Sequence, residues 1–235
     1  MFTDRSFMQS PILVIAAHPD DEVLGCGGTI ARLTAEGAEA TVLILGEGIT
    51  SRYDQRADAD LELVAAHRER AQRAGALIGA KRVILIDFPD QKFETTPLLD
   101  ITKTIEKTIS EVCPDTIFTQ HGGDLNLDHV LTFRATLTAT RPMEGRTVKA
   151  VYAYPVASSS EWSFGRFAPR FEPNTYFDIA TTLERKIAAM QIYESETRAF
   201  PHPRSPEALR AAAQYWGSHV GVMAAEPFQC IWRIA

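Results

Sequence analysis

The run Ala17-His18-Pro19-Asp20-Asp21-Glu22 places three consecutive carboxylates just after a histidine. One acid is enough to cap a helix, and a neighbour is favoured by the positive helix N-terminus, so three in a row ask for a further reason. A second polar run, His121-Gly122-Gly123-Asp124-Leu125-Asn126-Leu127-Asp128-His129, lies far downstream. A hydrolytic zinc ion takes about three protein ligands drawn from His and carboxylate and keeps a position open for water. His18, Asp21 and His129 supply such a set, because His-x-x-Asp lets two side chains converge from one turn while the third arrives from elsewhere. Asp20 is then unligated, and a carboxylate beside a metal can take the proton of a water that attacks a carbonyl carbon. The same donors would accept iron or cobalt, so the residue types alone do not choose the ion.

Both runs follow segments that read as strands. Residues 12–17, 41–45, 82–88 and 116–120 are near-continuous apolar runs of strand length, as strands covered on both faces would be. Helical patterns fill the intervals: 22–36, ending at Gly37; 57–78, ending at Gly79, with Leu61, Val64, Ala71, Ala74 and Ile78 on one period; and 98–112. This alternation predicts an α/β fold, a Rossmann-like three-layer sandwich whose mainly parallel sheet has a 3-2-1-4 core plus additional strands. In that order strands one and four are neighbours with connections on opposite faces, so a crevice opens between their ends and receives both polar runs. A fifth strand is expected at 148–154, followed by a long loop. A capping box of Thr181 and Glu184 starts a helix with Leu183, Ile187 and Met190 on one face; another helix near 205–217 precedes a short last strand. The expected organisation is a single domain over 1–235, with a Rossmann-like core at 1–155 and a C-terminal elaboration at 156–235 covering the site.

The 235 residues carry 24 Lys+Arg against 30 Asp+Glu, a net charge of −6, which argues against sequence-independent binding to nucleic acid. A chain of this length buries roughly 70–75% of its unfolded surface, so its core needs no disulfides. No stretch approaches the ~18 uninterrupted apolar residues of a membrane span, and the first ten residues lack the features of a secretory signal. Cys26, Cys113 and Cys230 are far apart and form no CxxC pair, which suits a reducing compartment and provides no thiolate cage. The expectation is a cytoplasmic protein with a small-molecule partner; the sequence is compatible with a homo-oligomer without specifying one.

With these residues in view, the chain resembles the PIG-L/LmbE-like zinc-dependent de-N-acetylases, which remove acetyl groups from N-acetylated amino sugars. Ala-His-Pro-Asp-Asp-Glu at 17–22 matches the family signature, and the Asp128-His129 pair matches a second motif. Gly46-Glu47-Gly48, Arg68, Leu77-Ile78-Gly79, Pro114-Asp115 and Ala225-Glu226-Pro227-Phe228 extend the likeness over most of the chain. The resemblance implies a Rossmann-like fold, one Zn2+ per chain (Fe2+ being an alternative) on His18, Asp21 and His129, and Asp20 as general base. It implies hydrolysis of the N-acetyl amide of an amino sugar or sugar conjugate, releasing acetate and a free amine. The chain departs from the family at one position: members such as the mycothiol and bacillithiol pathway deacetylases carry a His three residues before the last zinc ligand, and here Asn126 stands there. An amide can donate to an oxyanion but cannot shuttle a proton. Asp20 is therefore expected to return its proton to the leaving amine, with Asn126 or the metal holding the oxyanion. Asp128 is expected to orient a neighbour rather than support a histidine.

Arg68, Asp124 and Glu22 are candidate substrate contacts, each with a plainer alternative: a solvated helix face shared with Arg70 and Arg73, an Asx turn, and stabilisation of a helix N-terminus. Ser51, Arg52 and Tyr53 would sit at the same sheet end, and Pro201-His202-Pro203-Arg204-Ser205 could line the pocket. His121 either approaches the site or merely follows the strand, and His67, His202 and His219 read as surface or core residues. Trp162, Phe164 and Phe167 either stack on a sugar or cover the core. A nucleotide-binding oxidoreductase is disfavoured: Gly25-Cys26-Gly27-Gly28 does not match GxGxxG and follows acids that would repel a pyrophosphate. Those glycines read instead as points of close helix-to-sheet approach. Two further readings stay open, a zinc amidase acting on another amide such as a thiol conjugate, and a non-catalytic carbohydrate-binding homologue, which would have no use for an unligated Asp20.

Overall fold

The computed structural model describes residues 10–50 and 60–234. Its strands are β1 (Pro11–Ala16), β2 (Glu39–Gly46), β3 (Arg82–Phe88), β4 (Thr116–Gln120), β5 (Ala150–Tyr154), β6 (Thr175–Asp178) and β7 (Ala225–Arg233), in one sheet of order β3-β2-β1-β4-β5-β7-β6. The first five run parallel, and β7 is antiparallel to both β5 and β6. Helices α1 (Asp21–Ala35), α2 (Leu61–Leu77), α5 (Leu183–Ile192) and α6 (Pro206–Val220) pack on one face; α3 (Leu98–Val112) and α4 (Leu127–Ala139) pack on the other. In β1 the side chains alternate between these layers: Ile12, Val14 and Ala16 belong to the core that includes Ile30 and Ile187, and Leu13 and Ile15 to the one that includes Ile101 and Ile105. Burial on both faces is why the run is apolar at every position rather than at every second one.

Parallel pairing of Ile12 with Thr116, Leu13 with Ile117 and Val14 with Phe118 sets β1 beside β4, so the segments leaving their C-terminal ends emerge at one edge. The 3-2-1-4 core is therefore present, and it brings the two polar runs together. Several elements differ from their expected limits. Helix α2 starts at Leu61 because the Asp60 carboxylate caps it, accepting from the N–H of Glu62 at 2.9 Å, and Leu61 is exposed rather than packed. Residues 57–59 and Ser51, Arg52 and Tyr53 lie outside the described residues. The cap of α5 is Thr182, not Thr181, and its hydroxyl donates to the Gly28 carbonyl at 2.8 Å. The long segment after β5 contains β6, four residues paired to β7, and Trp162, Phe164 and Phe167 are exposed rather than covering the core.

The glycine run does serve close approach. A Cβ on Gly25 would lie 2.0 Å from the Tyr154 ring, and one on Gly28 2.9 Å from Ile179. Tyr154 cannot swing away freely, because its hydroxyl donates to the Ile15 carbonyl at 3.0 Å. Gly25→Ala is expected to lower the unfolding free energy by about 1–3 kcal/mol, as overpacking of a close-packed interior does. Urea denaturation measures this, and an unchanged midpoint would show that α1 can shift outward without loss.

Candidate active site

Between β1 and α1 the chain turns through residues 17–20, and the His18 N–H donates back to Asp21 Oδ2 at 2.9 Å. That oxygen lies 3.5 Å from His18 Nδ1 and 3.3 Å from His129 Nε2, and the two imidazole rings are 5.5 Å apart between centroids. One donor atom from each of His18, Asp21 and His129 falls within 4.8 Å of the other two, and all three residues are buried. Two imidazoles and a carboxylate converging on one buried point fit a divalent first-row cation. Gln120, the last residue of β4, steadies Asp21 by donating Nε2–H to Oδ2 at 2.8 Å.

The second nitrogen of each ring faces a further carboxylate. His18 Nε2 is 2.9 Å from Asp128 Oδ2 and 3.3 Å from Asp90 Oδ1. His129 Nδ1 is 3.2 Å from Asp124 Oδ1, a charge contact without the alignment of a hydrogen bond. A carboxylate on the outer ring nitrogen favours the tautomer whose inner nitrogen carries the lone pair, and makes that nitrogen a stronger donor. Two expectations change here. Asp128 supports a histidine after all, and it is itself held by the Phe93 N–H at 3.0 Å on Oδ1. Asp124 makes the Asx turn, its Oδ1 accepting the Asn126 N–H at 2.8 Å, rather than reaching for a sugar, and it also backs His129 with oxygens that accept the hydroxyls of Ser159 and Ser160.

Burial opposes charge on both rings, yet the surrounding carboxylates outweigh it: His129 is pushed up to about 9 and His18 well above the ordinary value. Burial also opposes ionisation of Asp21, but His129 and His18 hold it well below its usual range. The pocket thus draws positive charge, whether as protons or as a cation. Asp128→Asn removes a charged partner of His18 and is expected to weaken binding of the ion about 10–100-fold, which competition with a chelator would measure. Unchanged affinity would mean that Asp90 alone suffices.

Asp20 stands at the N-cap position of α1, but its side chain makes no capping bond. Its backbone sits at φ +109°, a region few L-residues adopt, and strain of this kind persists only where surroundings enforce it. Here Glu22 is the enforcer. Its Oε2 accepts the Asp20 N–H at 3.0 Å, and its Oε1 accepts the Tyr193 hydroxyl at 2.6 Å. Glu22 is fully buried with both oxygens engaged, so it shapes the turn and presents no open oxygen to the pocket; burial pushes its pKa up to about 7. The Asp20 carboxylate receives Arg204 Nη1 on Oδ2 at 2.6 Å, and Oδ1 has no bonded partner among the described residues. Burial raises the Asp20 pKa well above the ordinary carboxylate value, with Arg204 opposing.

The remaining candidates fall elsewhere. Arg68 pairs with Asp87 and, at 3.3 Å, with the Leu85 carbonyl on the outer strand β3, and is not among the converging donors. Asn126 caps α4, with Oδ1 accepting the Asp128 N–H at 2.9 Å; this starts the helix at Leu127 and sets Asp128 and His129 in its first turn. His121 bonds through Nε2 to the Pro169 carbonyl at 2.9 Å and is not one of the converging donors. Sequence reasoning missed Asp90, Gln120, Tyr193 and the pairing of Arg204 with Asp20. Two of these had a signal: Pro89-Asp90 follows β3, and Gln120 ends β4, both at the sheet end where the site lies.

Residues 13–140, more than half of the chain, match the GlcNAc-PI de-N-acetylase family, PIG-L, and the protein belongs to that family of N-deacetylases. It is 25% identical to the diacetylchitobiose deacetylase of Thermococcus kodakarensis, over 92% of this chain and 80% of that protein. It is 26% identical to the 1D-myo-inositol 2-acetamido-2-deoxy-alpha-D-glucopyranoside deacetylase of Mycolicibacterium gilvum, over 84% and 85%. Among solved structures it is similar to GalB, the 4-carboxy-2-hydroxymuconate hydratase of Pseudomonas putida, with a TM-score of 0.74 and 23% identity over 97% of this chain and 98% of that one. That likeness shows the fold alone, and because GalB is a hydratase the reaction has to be argued from the site. Among the described residues, no helix is long and apolar enough to cross a membrane.

Proposed function

We propose that the protein hydrolyses the N-acetyl amide of an amino sugar or sugar conjugate, with one Zn2+ held by His18, Asp21 and His129. The observation that carries this reading is Asp20, a buried carboxylate outside the converging donors and held in place by Arg204. A protein that only bound sugar would have no need to brace an acid beside a metal site. When bound, the cation supplies Lewis acidity toward water and toward the amide oxygen.

The chain's own groups do the rest. Asp20 accepts a proton from the attacking water through Oδ1 and returns it to the departing nitrogen. Arg204, by occupying Oδ2, fixes which oxygen faces the reaction. Glu22 and Tyr193 keep the turn from relaxing to ordinary backbone angles. Asp128 and Asp124 hold the two imidazoles in their donor tautomers. Asn126 has one amide half free of capping, and its Nδ2–H is assigned to the oxyanion. The substrate reading draws on the deacetylated sugars in the names of the relatives, and it includes action in the cytoplasm on a small molecule.

Incubating zinc-loaded protein with N-acetylglucosamine, diacetylchitobiose and glycosides of N-acetylglucosamine should release acetate and a primary amine in equal amounts. Absence of acetate from the whole panel, with metal bound, would contradict the proposal.

A further inference from the structure

Beside the site, between the loop that follows β5 and helix α6, lies a cavity of about 510 Å3. Leu24, Val156, Phe171, Leu209, Trp216 and Pro227 make its wall largely apolar. All four charged side chains in that wall are tied to protein partners. Lys186 pairs with Glu226 at 2.6 Å, Arg170 donates to the Gly165 carbonyl at 3.2 Å, and Glu161 accepts the Ser158 N–H at 2.6 Å. Only Lys186 and Glu226 compensate each other's charge, and Arg170 and Glu161 hold backbone groups; the rest of the wall offers an uncharged apolar ligand a surface that asks for no polar partner. Its size is that of a small-molecule pocket. Phe164 lines it while remaining 78% exposed, an apolar side chain left at the surface beside an apolar hollow.

The cavity shares its wall with the reaction site. Ser160, a lining residue, bonds through its hydroxyl to Asp124, the carboxylate behind His129. Pro203, another, immediately precedes Arg204, whose guanidinium holds Asp20. We propose that this cavity binds an apolar alkyl or aryl tail carried by the substrate, so that the conjugate deacetylated here is amphiphilic. The inference rests on the function proposed above: because the acyl group removed has only two carbons, the tail must be on the sugar.

The test compares three substrates on the zinc-loaded enzyme: the methyl and octyl glycosides of N-acetylglucosamine, and N-octanoylglucosamine. The octyl glycoside is expected to show a KM lower than that of the methyl glycoside by at least about 10-fold, from burial of its added methylenes. Ala208→Phe and Ala212→Trp, which fill the cavity from α6, should bring the two KM values together. A readout independent of turnover is the fluorescence of N-phenyl-1-naphthylamine, which should rise on binding, fall when the octyl glycoside is added, and fail to rise with Ala212→Trp. Equal KM values for the two glycosides, an advantage confined to N-octanoylglucosamine, or an advantage that survives in both variants would overturn the inference. If neither glycoside is deacetylated, the proposed function fails, and displacement of the probe still decides the cavity: displacement by the octyl glycoside upholds the tail site, and its absence overturns it.

Discussion

Asp20→Asn is expected to lower deacetylation turnover by about 10²-fold or more while leaving the bound metal in place, the scale on which loss of a general base acts. Asparagine is the informative replacement. It keeps the shape of the side chain and an oxygen for Arg204, and it tolerates positive φ better than most residues, so the turn at φ +109° survives. What disappears is the capacity to take a proton, together with the negative charge facing Arg204. Steady-state rates together with metal analysis decide the matter. Unchanged turnover would remove Asp20 from the chemistry, and loss of metal along with rate would make it a ligand.

His129→Ala, or equally His18→Ala, is expected to abolish stoichiometric metal binding, a larger effect than the 10–100-fold produced by removing an outer carboxylate. Each substitution leaves two donors where a tetrahedral cation draws on three. The wild-type affinity should also depend on pH in a definite direction. His129, pushed up to about 9, is protonated in the metal-free protein at neutral pH, and the cation must displace that proton. Below about pH 9 the affinity should therefore fall as pH falls, about tenfold per unit for each proton displaced. Metal content measured on protein purified without chelator, and calorimetric titration at several pH values, test both statements. Full metal content in both variants would contradict the ligand assignment.

The layout of the fold was readable because β1, β2 and β4 are buried on both faces along nearly all their length, which leaves apolar stretches on both faces rather than a strict alternation. The ligand set was readable for a related reason: its residues sit in two short runs directly after strands that topology makes neighbours. What escaped depended on contacts between distant positions. Arg204 reaches Asp20 across 184 residues, and Tyr193 reaches Glu22 across 171, with no local pattern to announce either. Glu22 read either as a substrate contact or as an acid favoured at a helix N-terminus, because nothing in the sequence shows which way a side chain turns, and the structure buries it completely. Asn126 carries a second task that its place three residues before His129 did not announce: its oxygen begins α4, which leaves only the amide nitrogen for the reaction. Strand β6 is only four residues long and pairs with a single neighbour, too little periodicity to stand out from a loop.

Crystals grown with zinc and measured on both sides of the zinc absorption edge show directly which residues hold the ion. One anomalous peak per chain is expected, among His18 Nδ1, the Asp21 carboxylate and His129 Nε2, with Asp20 outside bonding distance. His18, Asp90 and Asp128 form a second buried group with donor atoms close enough to share an ion. A peak there, on the opposite nitrogen of His18, or no peak at all, would contradict the ligand assignment.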